Sequence, residues 1–176
     1  MNLLPDITCF RIDTLDEYGK HVDSLRQSYL MSLPAPTPPT CLSTGCYHFL
    51  SGPITWMQAK TSCEEMNMRL VEIETEEENR ALTKEALKVL GSSKAAYLWI
   101  GLTDRAREGT WVWNSGKEPT YTAWRSSSGE PNDYKGSEDC ALHYFQSHGG
   151  WNDWDCEHTN HWTSLGAFGA ICELLK

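Results

Sequence analysis

Apolar residues near the start of the chain recur at alternating steps of three and four positions, the spacing of a helical seam. The residues at these positions are Leu15, Tyr18, Val22, Leu25 and Tyr29. They span about two heptad repeats, and an isolated helix of that length is marginal in water. We therefore expect this helix either to pair with a second chain or to pack onto its own domain.

A proline-rich segment separates this helix from the rest of the chain. Residues 34–40 read Pro-Ala-Pro-Thr-Pro-Pro-Thr, and such a composition predicts a stiff, extended linker. The sequence is therefore divided into an N-terminal extension, residues 1–40, and a folded domain, residues 41–176.

Two helices are predicted in the folded domain, and each begins at a threonine with a Gln or Glu three residues later. Thr55 and Gln58 form a capping box that opens a helix running to about Met66. Thr75 and Glu78 repeat this pattern and open a second helix that ends near Gly91.

Short apolar and aromatic segments predict strands at 46–49, 97–102, 110–113, 140–145 and 168–174. Between them lie two long segments, 114–139 and 146–167, which are rich in Gly, Ser, Asn and Asp and lack a periodic pattern. Long loops in a compact domain are usually functional. These two need something to hold them in place, and bound metal can serve.

Composition narrows the possible partners. With a net charge of −9 over 176 residues, the chain is unsuited to nucleic acid or to anionic membranes, which need Lys and Arg. No run of about 18 apolar residues is present, and no signal-peptide pattern is visible. Seven cysteines indicate an oxidising compartment. We expect a secreted mature chain, or the extracellular part of a longer one.

The candidate chemistry lies in three polar clusters within about two dozen residues. These are Glu130-Pro131-Asn132-Asp133, Ser137-Glu138-Asp139-Cys140 and Trp151-Asn152-Asp153. Carboxylates and amide carbonyls are the oxygen ligands that calcium prefers. A surface turn with scattered acids is the alternative, and the second and third clusters disfavour it. Pro131 can fix the turn, and a cis bond would suit a tight loop.

These clusters, with the upstream strand Trp99-Ile100-Gly101-Leu102, resemble the C-type lectin family over about residues 46–174. The resemblance implies an α+β fold with two helices, short antiparallel sheets and long calcium-stabilised loops, here preceded by the N-terminal helix. It also implies calcium-dependent carbohydrate binding without catalysis. The sequence has no nucleophile elbow, phosphate loop or arranged base, which agrees with a non-enzymatic function.

The resemblance also implies two calcium sites. The principal site would use Glu130, Asn132, Glu138, Asn152 and Asp153, which would also bind the sugar. The auxiliary site would use Asp104, Glu108, Asp133 and Asp139. The alternative for Asp104 and Glu108 is a pair of exposed acids near two arginines.

By the same resemblance, Cys63 pairs with Cys172 and Cys140 pairs with Cys156. Cys41 and Cys46 are expected to close a small N-terminal loop. Cys9 remains; it is a candidate link between two chains, and a free or blocked thiol is the alternative. A zinc site at His158 and His161 is disfavoured because no second ligand pair accompanies them.

The order of Glu130 before Asn132 goes, in the family, with sugars of the mannose, glucose and N-acetylglucosamine type. We expect multivalent binding of such terminal sugars, in glycan or microbial-surface recognition. Tyr134 follows this motif, and a ring stacked on a sugar face would instead admit galactose. His148 and the loop 146–150 are further candidates for the border of the site. Two alternatives are a structural role in binding ice or mineral and a glycosidase that uses two of the carboxylates; the second is disfavoured because those acids are better explained as metal ligands.

Overall fold

The computed structural model describes residues 20, 22–23, 38–91, 97–158 and 168–175. Residues 38–176 form one compact unit. Of the predicted seam, only Val22 is among the described residues, where it is helical and exposed. The rest of the seam, the linker residues 34–37, Cys9 and His161 lie outside them. The N-terminal helix and its self-association therefore stay predictions.

The described residues of the folded domain form two α-helices and eight strands. The helices are α1 (Trp56–Glu65) and α2 (Glu76–Leu90). The strands are β1 (Thr40–Cys41), β2 (Cys46–Leu50), β3 (Met68–Leu70), β4 (Tyr97–Thr103), β5 (Val112–Trp113), β6 (Cys140–Tyr144), β7 (Gly150–Trp154) and β8 (Phe168–Leu174). The predicted α+β class is confirmed.

All eight strands belong to one sheet in the order β1-β2-β8-β4-β6-β7, with β3 paired to β8 and β5 to β4. Every pair is antiparallel except β4 with β8, which is parallel. The early strand β2 therefore pairs with the last described strand, β8, and the β6–β7 pair lies at one edge of the sheet.

Both helices begin at the predicted threonines. At α1 the capping box is complete, because the Thr55 side chain accepts from Gln58 N at 3.2 Å and Gln58 Oε1 accepts from Thr55 N at 2.9 Å. At α2 only half of the box forms. Thr75 accepts from Glu78 N, but the Glu78 carboxylate accepts from Glu74 N and from the Tyr47 hydroxyl instead of from Thr75 N.

Three strands were missed from the sequence, namely β1, β3 and β7, and the last of these bears on the candidate site. Segment 146–167 was predicted to be a loop, yet Gly150–Trp154 forms β7 and pairs in antiparallel register with β6. Asn and Asp disfavour strands, but the buried rings of Trp151 and Trp154 supply packing that outweighs this preference. The predicted strand 110–113 is also shorter than expected and consists of Val112–Trp113.

The core forms two clusters on the two faces of the sheet. Along β4, Tyr97 and Trp99 pack with α1, whereas Leu98 and Ile100 pack with α2. Alternate residues of a strand point to opposite faces, so this one buried strand supplies both clusters. Because β6 pairs with β4 and β7 pairs with β6, the β6–β7 pair is attached directly to this buried strand.

Three disulfides strengthen this framework. They join Cys41 to Cys46, as expected from the sequence, and Cys63 to Cys172 and Cys140 to Cys156, as the resemblance implies. The second ties α1 to β8. The third ties the start of β6 to the residues just after β7, and so holds together the two strands that border the polar loop.

Candidate functional site

The segment 129–139 folds as a tight loop above the β6–β7 edge. The peptide bond between Glu130 and Pro131 is cis. Two residues that follow, Asp133 and Lys135, have φ of 43° and 64°, in the left-handed region. This backbone path turns the chain back on itself before β6 begins at Cys140.

Asp153 on β7 anchors this loop. Its carboxylate accepts from Asn132 N at 2.9 Å and from Asp133 N at 2.7 Å. Within the loop, Glu138 accepts from Tyr134 N at 3.1 Å, and Asp133 accepts from Glu138 N at 3.2 Å. The predicted ligand residues are thus joined to one another through backbone amides, which fixes their relative positions.

Four of the five residues assigned to the principal site line one cavity of about 320 Å³, which we call the loop cavity. They are Glu130, Asn132, Glu138 and Asn152. The fifth, Asp153, is 1% exposed and lies behind the loop that it anchors. Asn132 donates its side-chain amide to Glu130, and Asn152 donates its amide to the Asp153 carbonyl at 2.6 Å.

Burial and like charge make this cavity unfavourable for its own carboxylates. Burial, reinforced by the nearby Asp153 carboxylate, raises the pKa of Glu130 to about 7. Burial also raises the pKa of Glu138 to about 7, although the Tyr134 amide opposes it. A positive ion placed among these groups would relieve both effects.

The auxiliary residues form a second acidic cluster. Carboxylate oxygens of Asp104, Glu108 and Asp139 lie within 4.8 Å of one another. Burial raises the pKa of Asp104 to about 6, with the Glu108 and Asp139 charges adding to it. The fourth predicted member, Asp133, is not in this trio, but its charge contributes to the raised pKa of Glu108 after burial.

Both clusters fit a hard cation. All of the candidate donors are carboxylate or amide oxygens, the set that calcium prefers. The buried Asp104 Oδ1 has no hydrogen-bond partner among the described residues. No ion pair that the structure describes involves a carboxylate of either cluster. A ligand such as Ca²⁺ would supply the missing positive charge.

Sequence reasoning missed three residues of the loop cavity: Tyr97, Arg125 and Trp154. Trp154 had a usable signal, since it lies two residues beyond Asn152 on one strand and so shares its face. Tyr97 and Arg125 had none, because only the tertiary fold brings β4 and segment 121–127 to this edge. The predicted Tyr134 does line the cavity, and this residue is 52% exposed. His148 lies instead in a separate groove.

Comparisons with known proteins agree with this architecture. The family model for the "Lectin C-type domain" matches residues 52–163. Hepatic lectin of Gallus gallus is 34% identical over 149 residues, covering 83% of this chain and 67% of that protein. The chain spans less of other relatives, for example 45% of CD209 antigen-like protein A of Mus musculus, to which it is 36% identical over 66% of its own length.

Among solved structures, the carbohydrate-recognition domain of cow CD23, crystallised with a GlcNAc2Man3 oligosaccharide, has a TM-score of 0.64 and 31% identity. The structural match covers 81% of this chain and 97% of that domain. The chain therefore belongs to the C-type lectin family, whose members bind carbohydrates and are not enzymes.

The fold alone is shared more widely. A calcium-independent type II antifreeze protein has a TM-score of 0.60 at 23% identity, over 80% of this chain and 94% of that one. Within the described residues, neither helix is both long and apolar enough to span a bilayer.

Proposed function

We propose that the loop cavity binds terminal sugars of glycans in a calcium-dependent manner. The observation that carries this proposal is the meeting of Glu130, Asn132, Glu138 and Asn152 at one cavity, with Asp153 directly behind it. These residues come from two segments of sequence, 130–138 and 152–153, and no described basic side chain forms an ion pair with them. An acidic oxygen cage of this kind suits calcium better than magnesium, which demands a tighter octahedron.

Different residues of the site would have different roles in binding the sugar. Calcium, when bound, supplies the positive charge that attracts sugar hydroxyl oxygens. The carboxylates of Glu130 and Glu138 accept hydrogen bonds from those hydroxyls, and the amides of Asn132 and Asn152 donate to them. Asp153 orients the loop through the amides of residues 132 and 133. The auxiliary acids Asp104, Glu108, Asp133 and Asp139 would hold a second ion that stiffens the loop.

The order of Glu130 before Asn132 favours sugars of the mannose, glucose and N-acetylglucosamine type, which carry equatorial 3- and 4-hydroxyls. A second candidate is galactose-type binding. It is favoured by the exposed Tyr134 ring on the cavity wall, since the apolar face of galactose can stack on an aromatic ring. The two readings differ only in which monosaccharide competes best.

We also propose that the protein is extracellular and multivalent. Three disulfides are typical of an oxidising compartment. Joining several chains raises the avidity of shallow single sites, and the predicted N-terminal seam and Cys9 would join them. Sedimentation with and without residues 1–33 tests this part, and a monomer unchanged by the deletion would contradict it.

The sugar proposal is tested by equilibrium binding to immobilised mannose, with free mannose and galactose as competitors. Binding should disappear in EDTA and return with calcium. Glu138→Gln should lose binding about 100-fold or more, because it removes one charge from the cage. Glu157→Gln serves as the matched control, since Glu157 is an exposed acid outside both clusters. Sugar binding that persists in excess EDTA would contradict the proposal.

A further inference from the structure

Beside the loop cavity lies a larger groove of about 860 Å³, which we call the α2 groove. The exposed face of α2 forms one wall, with Arg80, Lys84 and Leu87. Segments 121–127 and 147–150 form the other wall, where the rings of Tyr121 and Trp124 lie. None of the residues assigned to calcium lines this groove.

Arg125 belongs to both spaces, because it lines the loop cavity and the α2 groove alike. Its backbone is fixed to β7 by a hydrogen bond from Arg125 N to Trp151 O at 3.0 Å. Its guanidinium carbon lies 5.0 Å from the centroid of the Tyr144 ring. Tyr144 in turn stacks on Tyr97, another residue of the loop cavity, at 4.4 Å. Arg125 is therefore a positioned, half-buried cation where the two spaces meet.

The guanidinium of Arg125 keeps its donors available. Among the ion pairs and side-chain hydrogen bonds of the described residues, none involves it, and the same holds for the ammonium of Lys84. Arg80, by contrast, pairs with Glu76 on the same helix. The α2 groove thus presents two positive charges that form no ion pair within the described residues, on a chain whose net charge is −9.

This charge distribution selects a kind of ligand. A positive patch on an acidic protein raises the local concentration of anions. The planar guanidinium of arginine matches the geometry of carboxylate and sulfate, to which it can donate two parallel hydrogen bonds. Because Arg125 also lines the loop cavity, an anion at Arg125 and a sugar in that cavity can be parts of one molecule.

We propose that the loop cavity and the α2 groove together bind an acidic saccharide. Its hydroxyl-bearing residue occupies the loop cavity, its carboxylate or sulfate contacts Arg125, and the chain continues toward Lys84 along the rings of Tyr121 and Trp124. This inference rests on the proposed sugar binding and adds the substrate class: glycans that carry an anionic group next to the calcium-bound residue.

A competing role for Arg125 is to offset the negative charge of Glu130, whose pKa it lowers against the effect of burial. That role predicts a change in calcium affinity when Arg125 is replaced. It predicts no difference between neutral and acidic sugars. The two roles are therefore separated by comparing ligands within each variant.

The test uses methyl glucoside, its 2-sulfate, its 6-sulfate and the corresponding glucuronoside. All four keep the 3- and 4-hydroxyls, and the two anion types are tested in parallel. Affinities are measured by competition in calcium at low and high salt. If wild type binds only a neutral galactoside, the galactoside series takes its place.

In wild type, at least one acidic form should bind about tenfold more tightly than its neutral parent, and high salt should shrink that ratio. Arg125→Gln should bring the ratio close to one, and Arg125→Lys should restore part of it. Lys117→Gln removes the same charge from a distant site and should keep the wild-type ratio. A calcium-dependent thermal shift in each variant shows that the domain is folded and its cage intact.

Two results overturn the inference while leaving sugar binding in place. One is a wild type that binds a neutral hexoside in calcium but prefers no acidic form. The other is an Arg125→Gln variant that keeps the wild-type preference. If no hexoside binds wild type in calcium, the proposed sugar binding itself fails, and this inference fails with it.

Discussion

Two of the regions in which the domain buries acidic side chains treat them differently. In the first, the Arg69 cluster (Arg69, Glu72 and Glu173), the guanidinium lies 2.8 Å from Glu173 Oε1 and 3.3 Å from Glu72 Oε2. In the second, the loop cavity, Glu130 and Glu138 are crowded by Asp153 and form no described ion pair. The first region pairs its acids with its own cation, whereas in the second Arg125 lines the cavity without forming an ion pair with either acid among the described residues.

Hydrogen bonding sharpens the contrast. In the Arg69 cluster, Glu72 accepts from the backbone and hydroxyl of Ser115, and Glu173 accepts from Glu72 N. Its acids are thus satisfied by the protein alone. In the loop cavity, Glu138 accepts a hydrogen bond from Tyr134 N, but neither Glu130 nor Glu138 forms an ion pair among the described residues. A buried charge is costly unless it is paired, and this difference supports the proposal that the loop region binds a cation, whereas the Arg69 cluster stabilises the fold.

The largest expected effect comes from removing the anchor of the loop region. Asp153→Ala deletes a carboxylate that holds the amides of Asn132 and Asp133, and it removes one charge beside the cavity. We expect calcium and sugar affinity to fall about 100-fold or more, equivalent to about 3 kcal/mol. Calorimetric titration with calcium measures this directly.

Asp155→Ala is the matched control for that variant. Asp155 is two residues further along the chain and accepts from Glu157 N at 2.9 Å, outside the loop cavity. Its affinity for calcium should remain near that of wild type. Equal losses in both variants would mean that the region, and not the carboxylate of Asp153, governs binding.

The second prediction tests the Arg69 cluster. Arg69→Met leaves Glu72 and Glu173 without a cation and should lower the free energy of unfolding by about 2 to 3 kcal/mol. This is less than for a fully buried pair, because the Arg69 side chain is 32% exposed. Urea unfolding in EDTA and in calcium should give the same loss. If calcium abolished this loss of unfolding free energy, the Arg69 cluster would depend on the ion as the loop cavity does, and the contrast between the two regions would be wrong.

A third prediction concerns His143, a buried group that is kept neutral. Burial lowers the pKa of its imidazole to about 4 from an ordinary 6.5. Its Nε2 lies 3.2 Å from Thr83 Oγ1, and no carboxylate pairs with it among the described residues. Between pH 6.5 and 4 the unfolded chain binds a proton that the folded one does not. The contribution of neutral His143 to the free energy of unfolding is therefore fully present above pH 6.5 and is lost as the pH falls toward 4.

We expect wild type to lose about 2 kcal/mol relative to His143→Gln across that window. Unfolding is followed in urea and EDTA at several pH values, and the difference between the two proteins is plotted against pH. His148→Gln replaces an exposed histidine and should show no such difference from wild type. A flat difference for His143→Gln would show that this histidine titrates normally in the fold.

Sequence reasoning reached the framework of the domain more completely than the surroundings of the site. Capping residues such as Thr55 act locally, and the strand at 97–103 reads as an apolar run, so both were predictable. β7 was missed because its Asn-Asp pair disfavours a strand until β6 and the core supply partners. Arg125 was missed because its position between two cavities depends on segments that are distant in sequence.

The smallest expected effect allows the most direct comparison of the two regions. The same Glu→Gln change should lower the free energy of unfolding in the Arg69 cluster and raise it in the loop cavity. Glu72→Gln removes a charge that Arg69 and Ser115 satisfy, and should destabilise the domain by about 1 kcal/mol. Glu138 has its pKa raised to about 7, so above that pH its charge costs the calcium-free fold free energy. Glu138→Gln should therefore stabilise the domain by about 1 kcal/mol in EDTA at pH 8, and calcium should reverse the order by favouring wild type. Chemical unfolding of the three proteins in EDTA and in calcium decides this. If both variants lose stability in EDTA, the loop acids are balanced by the protein itself and need no ion.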